Sequence, residues 1–184
     1  MLWPEHSSEY DSAITLEFSY CLPSDYVLGK DSSGNIKYNW TGFDYLLSTI
    51  ASRNHSSVIR FRYVYPGYNT TAVPSYIKAL SDYHETTYYN ADEGYTIPYP
   101  DWTNSELQWF TIQFMKDFAQ RYDKSPLLAY IQLGFGHWAE YHIYGTPLQE
   151  GVNFPSKEYQ AKYIQSIEFI DTPYSFSIDI IDPV

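Results

Sequence analysis

The sequence predicts an α/β protein made of parallel βαβ units. Three observations predict this. A unit of cap, helix, short break and apolar strand recurs along the chain. Strand–helix–strand repetition of that kind implies crossover connections and a parallel sheet. The length, 184 residues, allows one domain with a real core. Residues 1–184 are therefore read as a single domain.

The first strand is expected over residues 13–22. Thr41-Gly42-Phe43-Asp44 resembles a capping box with Thr41 as N-cap, and Phe43, Leu46, Leu47 and Ile50 follow at helical spacing. A strand over residues 58–65 comes next and is stopped by Pro66-Gly67. Residues 73–77 are expected as a short strand or turn, 76–83 as a short helix, and 88–102 as a long, Tyr- and Pro-rich loop of the kind that often carries function. Thr103-Asn104-Ser105-Glu106 is a second capping box, opening a helix whose face is Leu107, Phe110, Thr111, Phe114, Met115 and Phe118. Asp123-Lys124-Ser125-Pro126 breaks it, and a strand follows over residues 127–135. The third unit starts at Pro155-Ser156-Lys157-Glu158, has Tyr159, Tyr163, Ile164 and Ile167 on one helix face, and leads into a strand over 174–181.

Composition narrows the function. The chain is 44% hydrophobic and 20% aromatic, which excludes intrinsic disorder. No run reaches the roughly 18 apolar residues of a membrane helix, so no membrane span is expected. Eleven Lys and Arg face 22 Asp and Glu, a net charge of −11 without any cationic cluster, which argues against a nucleic-acid partner. Met1-Leu2-Trp3-Pro4-Glu5-His6 does not have the basic-then-apolar pattern of a signal peptide. Cys21 is the only cysteine, so no internal disulfide forms. Tyrosine is abundant, 21 against 10 Phe and 5 Trp. An apolar ring with a polar tip suits packing under loops, and it also suits a cleft for a sugar.

Strand alternation then locates the chemistry. Tyr130, Gln132, Gly134, Gly136, Trp138 and Glu140 share one face, and Ile131, Leu133 and Phe135 the other. Glu140 falls just past the C-terminal end of its strand, where parallel α/β folds place active sites. Glu17 on the first strand and Arg60 and Arg62 on the second are too costly to bury unpaired, so Glu17 is expected within about 6 Å of one of them. His137-Trp138-Ala139-Glu140-Tyr141-His142 has the spacing of neither common zinc motif, and no metal or other cofactor is expected. The sequence contains no G-x-S-x-G elbow, Walker loop or dinucleotide-binding glycine pattern.

One stretch carries a family resemblance. Tyr99-Pro100-Asp101-Trp102, the helix end Arg121-Tyr122-Asp123, and Pro126-Leu127-Leu128-Ala129-Tyr130-Ile131-Gln132-Leu133-Gly134-Phe135-Gly136-His137-Trp138-Ala139-Glu140-Tyr141-His142 resemble clan A glycoside hydrolases. The likeness is to the DUF4832-type and β-galactosidase-like barrels of polysaccharide-degrading bacteria, and it implies a (β/α)8, TIM-like barrel. A whole barrel takes about 250 residues, so residues 1–184 are expected to be a single partial barrel domain of about five strands, either a fragment or a natural truncation. Asn39-Trp40-Thr41-Gly42-Phe43-Asp44, Ile59-Arg60-Phe61-Arg62-Tyr63 and Val73-Pro74-Ser75-Tyr76 are similar to the first two βα units of that group. The resemblance implies that Glu140, after barrel strand four, is the acid/base carboxylate of glycosidic bond hydrolysis. It implies a carbohydrate ligand touched by Arg62, Tyr65, Trp102, His137, Trp138, Tyr141 and His142, and a periplasmic or extracellular setting. The clan usually has Asn before this Glu, where this chain has Ala139, and its nucleophile stands on strand seven. Asp179 and Asp182 are the late acidic candidates here. A second reading is a carbohydrate-binding or structural barrel protein without catalysis. Open sheet edges in a half-barrel imply a second copy or a partner chain that completes it.

Overall fold

The computed structural model describes residues 14–176. Its elements are β1 (Leu16–Cys21), α1 (Pro23–Tyr26), β2 (Val27–Lys30), β3 (Ile36–Tyr38), α2 (Thr41–Ala51), β4 (Ser56–Phe61), α3 (Ser75–Lys78), β5 (Thr86–Asn90), β6 (Tyr95–Tyr99), α4 (Ser105–Tyr122), β7 (Leu128–Leu133), α5 (Lys157–Ile167) and β8 (Tyr174–Phe176). The predicted βαβ units are present. β1, β4, β7 and β8 form a parallel sheet in that spatial order, so each strand lies beside the next parallel strand of the chain. Among the described residues the sheet is open and has four strands, not the closed ring of a barrel. The later part of the strand expected over 174–181, with Asp179 and Asp182, lies outside the described residues.

The helices pack on one face, through the odd-numbered side chains of β1, β4 and β7 and the even-numbered ones of β8. Phe61 meets Phe114 and Phe118 of α4 edge-on, at 4.9 and 5.0 Å between ring centroids. Phe135 meets Tyr163 of α5 at 5.1 Å. α4 and α5 are joined further by a buried hydrogen bond between the Thr111 and Tyr159 hydroxyls. Burying such a continuous aromatic face is the main driving force for this layer. Tyr63, Tyr99, Tyr122, Tyr159 and Tyr163 are all buried, so much of the tyrosine excess goes into packing.

Capping differs in detail from the expectation. Thr41 is already helical; Asn39 Oδ1 accepts its N–H at 3.1 Å, and Asp44 instead accepts from Arg121 and Tyr122 at 2.7 Å each. The cap of α4 is Asn104, not Thr103: its Oδ1 accepts from the Glu106 and Leu107 amides, both at 3.0 Å. Asn is as good a cap as Thr, and the one-residue shift frees the Glu106 carboxylate for Tyr76 and Lys30. Ser156 caps α5 as its position suggests.

Residues 88–102 are not a long loop. β5 and β6 form an antiparallel hairpin, with Tyr88 opposite Ile97. Its turn is held by Asn90, whose Oδ1 accepts from the Asp92 and Glu93 amides. A second hairpin, β2–β3, turns on Asp31, whose Oδ1 accepts from the Ser33 and Asn35 amides. Residues 73–77 supply no strand; Pro74 precedes the short α3.

The expected pairing of Glu17 with Arg60 or Arg62 gives way to another. β1 and β4 run in parallel register with Tyr20 beside Arg60, so Arg60 shares a face with Tyr20, and Glu17 points to the opposite, helix-covered face. There Glu17, 2% exposed, accepts from Arg53 Nε at 2.7 Å and Arg53 Nη2 at 2.6 Å, and lies 2.7 Å from His55 Nδ1. Burial pushes the Glu17 carboxyl up, but the Arg53 and His55 hydrogen bonds outweigh it and hold the group below its usual range. A carboxylate depressed on folding stabilises fully above its unfolded value of about 4.3, and that contribution is lost as pH falls through the folded value. Glu17→Gln removes the buried carboxylate to which both Arg53 and His55 are bonded. It is expected to destabilise by about 2–3 kcal/mol at neutral pH. Urea unfolding that shows less than about 0.5 kcal/mol would remove this ion cluster from the stabilising interactions.

Candidate active site at the end of the parallel sheet

Tyr20, Arg60, Gln132 and Ser175 form one row across the four strands, on the face away from the helices. Arg60 is the hub and is 6% exposed. Its Nε and Nη2 donate to Gln132 Oε1 at 3.0 and 2.6 Å, and its Nη1 to Glu140 Oε1 at 3.0 Å and to the Trp138 carbonyl at 3.3 Å. The Phe18 and Tyr20 rings lie beside the guanidinium, with centroids at 5.2 and 5.6 Å. Glu140 Oε2 is 3.5 Å from His142 Nδ1, and the Glu140 side chain keeps 17% of its surface accessible. Gln132 Oε1, accepting from both Nε and Nη2, fixes the guanidinium, and the remaining Nη1 holds one Glu140 oxygen, a preorganised arrangement.

The segment that presents Glu140 is folded tightly on itself. Glu140 N–H donates to the His137 carbonyl at 2.9 Å across Trp138 and Ala139, whose φ angles are +57° and +56°. Two successive left-handed residues are the signature of a type I′ turn, here without the usual Asn-Gly. Each non-glycine residue there costs about 1–2 kcal/mol, and such strain persists where surrounding contacts over-determine it. The contacts are visible: Gly136 N–H donates to Glu140 O at 2.8 Å, His137 N–H to His142 O at 3.1 Å and Trp138 N–H to Val64 O at 3.1 Å. Gly134 and Gly136 make the closure possible, because a Cβ on either would overlap the backbone carbonyls of Ala139 and His142 respectively.

Beneath this turn His137 is fully buried. Its Nε2 shares a 2.6 Å hydrogen bond with the Tyr99 hydroxyl of β6. Burial, assisted by His142 and partly offset by Glu93, pushes its pKa from 6.5 down to about 4. His137 is therefore a neutral anchor. The unfolded chain takes up this proton between about pH 6.5 and 4 while the folded one does not, so the stability due to His137 is complete above 6.5 and falls by about 3 kcal/mol towards pH 4. In His137→Gln, the thermal midpoint is expected to lose this part of its acid sensitivity; parallel profiles for the two proteins would refute the buried neutral imidazole.

The structure gathers part of the predicted set and disperses the rest. Glu140, His142, Trp138, Arg62 and Tyr65 come together. Arg62 lies over the rings of Tyr20, Tyr65 and Trp138, at 4.2, 4.7 and 5.2 Å. Trp102 is placed elsewhere: it is 1% exposed and packs in the core against Tyr63 and Phe135. Tyr141 turns to the helix side, packing on Phe135 and Phe154 and donating to Gln160. Sequence reasoning did not anticipate the relay behind Trp138, in which Trp138 Nε1 donates to Tyr144 Oη at 3.0 Å and Tyr144 to Glu93 at 2.6 Å. Nor did it pair Arg60 with Glu140, although alternation had put Arg60, Gln132 and Glu140 on single faces of their strands. Glu140 follows the third parallel strand among the described residues, not the fourth. The Cys21 thiol is buried and pushed up to about 12 by that burial, a poor state for a nucleophile.

Among the described residues no three His, Cys, Asp or Glu side chains gather as metal ligands would, and no helix is long and apolar enough to cross a membrane. An open groove of about 520 Å³ between β3 and α4, lined by Tyr38, Trp40, Trp109 and Asp117 among others, shares no residue with the Glu140 cluster. No protein-family model matches the chain, and no curated protein matches it.

Proposed function

We propose that the chain is a carbohydrate-active protein of the glycoside-hydrolase type, with Glu140 as the acid/base of glycosidic bond hydrolysis and the parallel sheet as part of a TIM-like barrel. The observation that carries this reading is the position of Glu140 at the C-terminal end of a parallel sheet. It is fixed by Arg60 and flanked by the aromatic side chains Tyr20 and Trp138, a pairing of carboxylate and ring faces suited to a sugar. In the reaction Glu140, protonated, gives its proton to the leaving glycosidic oxygen, and its carboxylate later takes one from the attacking water. Arg60 and Gln132 hold the group in place. The sheet edges at β1 and β8 are where a second copy or a partner chain would complete a barrel.

A second reading, carbohydrate binding without hydrolysis, is favoured by one observation. Among the described residues, the strand positions on the Glu140 face, Phe18, Tyr20, Val58, Arg60, Tyr130, Gln132 and Ser175, include no second acid, and both glycosidase mechanisms need two. A screen of aryl glycosides and oligosaccharides with the wild type and Glu140→Gln decides between them. Hydrolysis that Glu140→Gln abolishes supports the first reading; hydrolysis unchanged by it eliminates Glu140; binding without turnover supports the second.

A further inference from the structure

The chain has four arginines, and three of them hold a carboxylate: Arg53 with Glu17, Arg60 with Glu140 and Arg121 with Asp44. Among the described residues Arg62 holds none. Two residues beyond Arg60 on the same face, it is half-buried against Tyr20, Tyr65 and Trp138, and its buried Nε has no hydrogen-bond partner among those residues. Burial holds its pKa below the usual guanidinium range, with Tyr20 and Tyr65 opposing that shift, yet an arginine stays protonated under any physiological condition. Ring faces compensate a desolvated cation by about 1–2 kcal/mol but accept no hydrogen bond in the plane of the guanidinium, so the buried Nε–H is left wanting an acceptor. Arg60 beside it is already engaged by Glu140 and Gln132, so among the described residues Arg62 is the arginine at this end of the sheet left to meet an anion.

We propose that Arg62 binds the carboxylate of an acidic sugar, so that the ligand of the Glu140 site is a uronic acid unit. This rests on the carbohydrate reading above. A planar guanidinium fork matches a carboxylate in two parallel hydrogen bonds, and the rings that box Arg62 offer apolar faces to the C–H side of the same sugar. Trp138 links the two groups: its ring lies under Arg62, and its carbonyl accepts from the arginine that holds Glu140.

The test is calorimetric titration of the full chain with matched pairs, a p-nitrophenyl glucuronide against the glucoside and a galacturonide against the galactoside, with a sulfated glucoside as a third arm. The uronides are expected to bind at least about tenfold tighter than their neutral partners, about 1.4 kcal/mol. Arg62→Gln is expected to collapse that ratio towards one, and Arg62→Lys, which keeps the charge without the fork, to retain part of it. Circular dichroism melts confirm that both variants fold, and Arg62→Lys carries the test if Arg62→Gln does not. Equal affinity for uronide and neutral glycoside in the wild type overturns the inference, as does a ratio that survives Arg62→Gln. Tighter binding of the sulfated glucoside overturns the carboxylate assignment. Neutral glycosides hydrolysed in a Glu140-dependent way without uronide preference sink this inference and leave the proposed function standing. Arg62-dependent uronide binding without turnover does the reverse for hydrolysis.

Discussion

Glu140→Gln is expected to lower kcat by about 10²- to 10⁴-fold on glycosides with poor leaving groups, and much less on those with activated ones. A dinitrophenolate departs without a proton, whereas a sugar alkoxide does not, so loss of a general acid shows as a steep dependence on leaving-group basicity. A purely structural role for Glu140 predicts the same loss on every substrate. The substitution keeps size and can still accept from Arg60, whose Nη1 lies 3.0 Å from Oε1, so the site geometry should survive. A flat leaving-group profile across the series would exclude Glu140 as the acid, even if activity falls.

Gly136→Ala should be among the most destabilising single-methyl changes in the chain. Its Cβ would overlap the His142 carbonyl oxygen and sit 2.7 Å from the carbonyl carbon and 3.1 Å from the Glu140 oxygen. All of these are backbone atoms, and the same segment is tied by the Gly136–Glu140 and His137–His142 hydrogen bonds, so no side chain can rotate away. Overpacking of this kind costs about 3 kcal/mol, and relief means opening the turn that sets Glu140 and His142. Gly42→Ala is the matched control. It lies in α2 with nothing within 4 Å of the added atom, and a helical Ala for Gly is expected to stabilise by up to about 1 kcal/mol. Equal denaturation midpoints for Gly136→Ala and the wild type would mean that the turn is not closed as described.

Periodicity carried most of the layer structure. The spacing of Leu107, Phe110, Phe114 and Phe118 located α4 and its buried face, and period-two alternation separated Gln132 and Glu140 from the apolar Ile131 and Leu133. What alternation cannot supply is register between strands, because parallel neighbours meet through backbone hydrogen bonds that any side chain permits. That is why alternation alone leads to an expected partner in Arg60 or Arg62, whereas Glu17 pairs with Arg53 and His55. The hairpins were hidden for another reason. Pro98 and Pro100 in a tyrosine-rich stretch look like loop composition, although short turns ending in Gly34 and Gly94 between β-prone runs carry a hairpin signal. Trp102 shows the limit of reading aromatics as ligand contacts: in a chain with this many rings, position in the sequence does not separate a core Trp from a lining one. The His137–Tyr99 and Trp138–Tyr144–Glu93 contacts join segments far apart in sequence, and no local pattern announces them.

The spatial order of the sheet also bears on how the protein is made. Each parallel strand pairs with the one before it, β4 on β1, β7 on β4 and β8 on β7, so no strand waits for a neighbour that has yet to be synthesised. A nascent chain can therefore add one βα unit at a time to a growing edge, keeping loop-closure entropy low at each step and limiting the time any edge stays open to a wrong partner. The strand order thus permits vectorial assembly, with Glu140, carried on the third strand's exit, free to meet Arg60 once that strand docks.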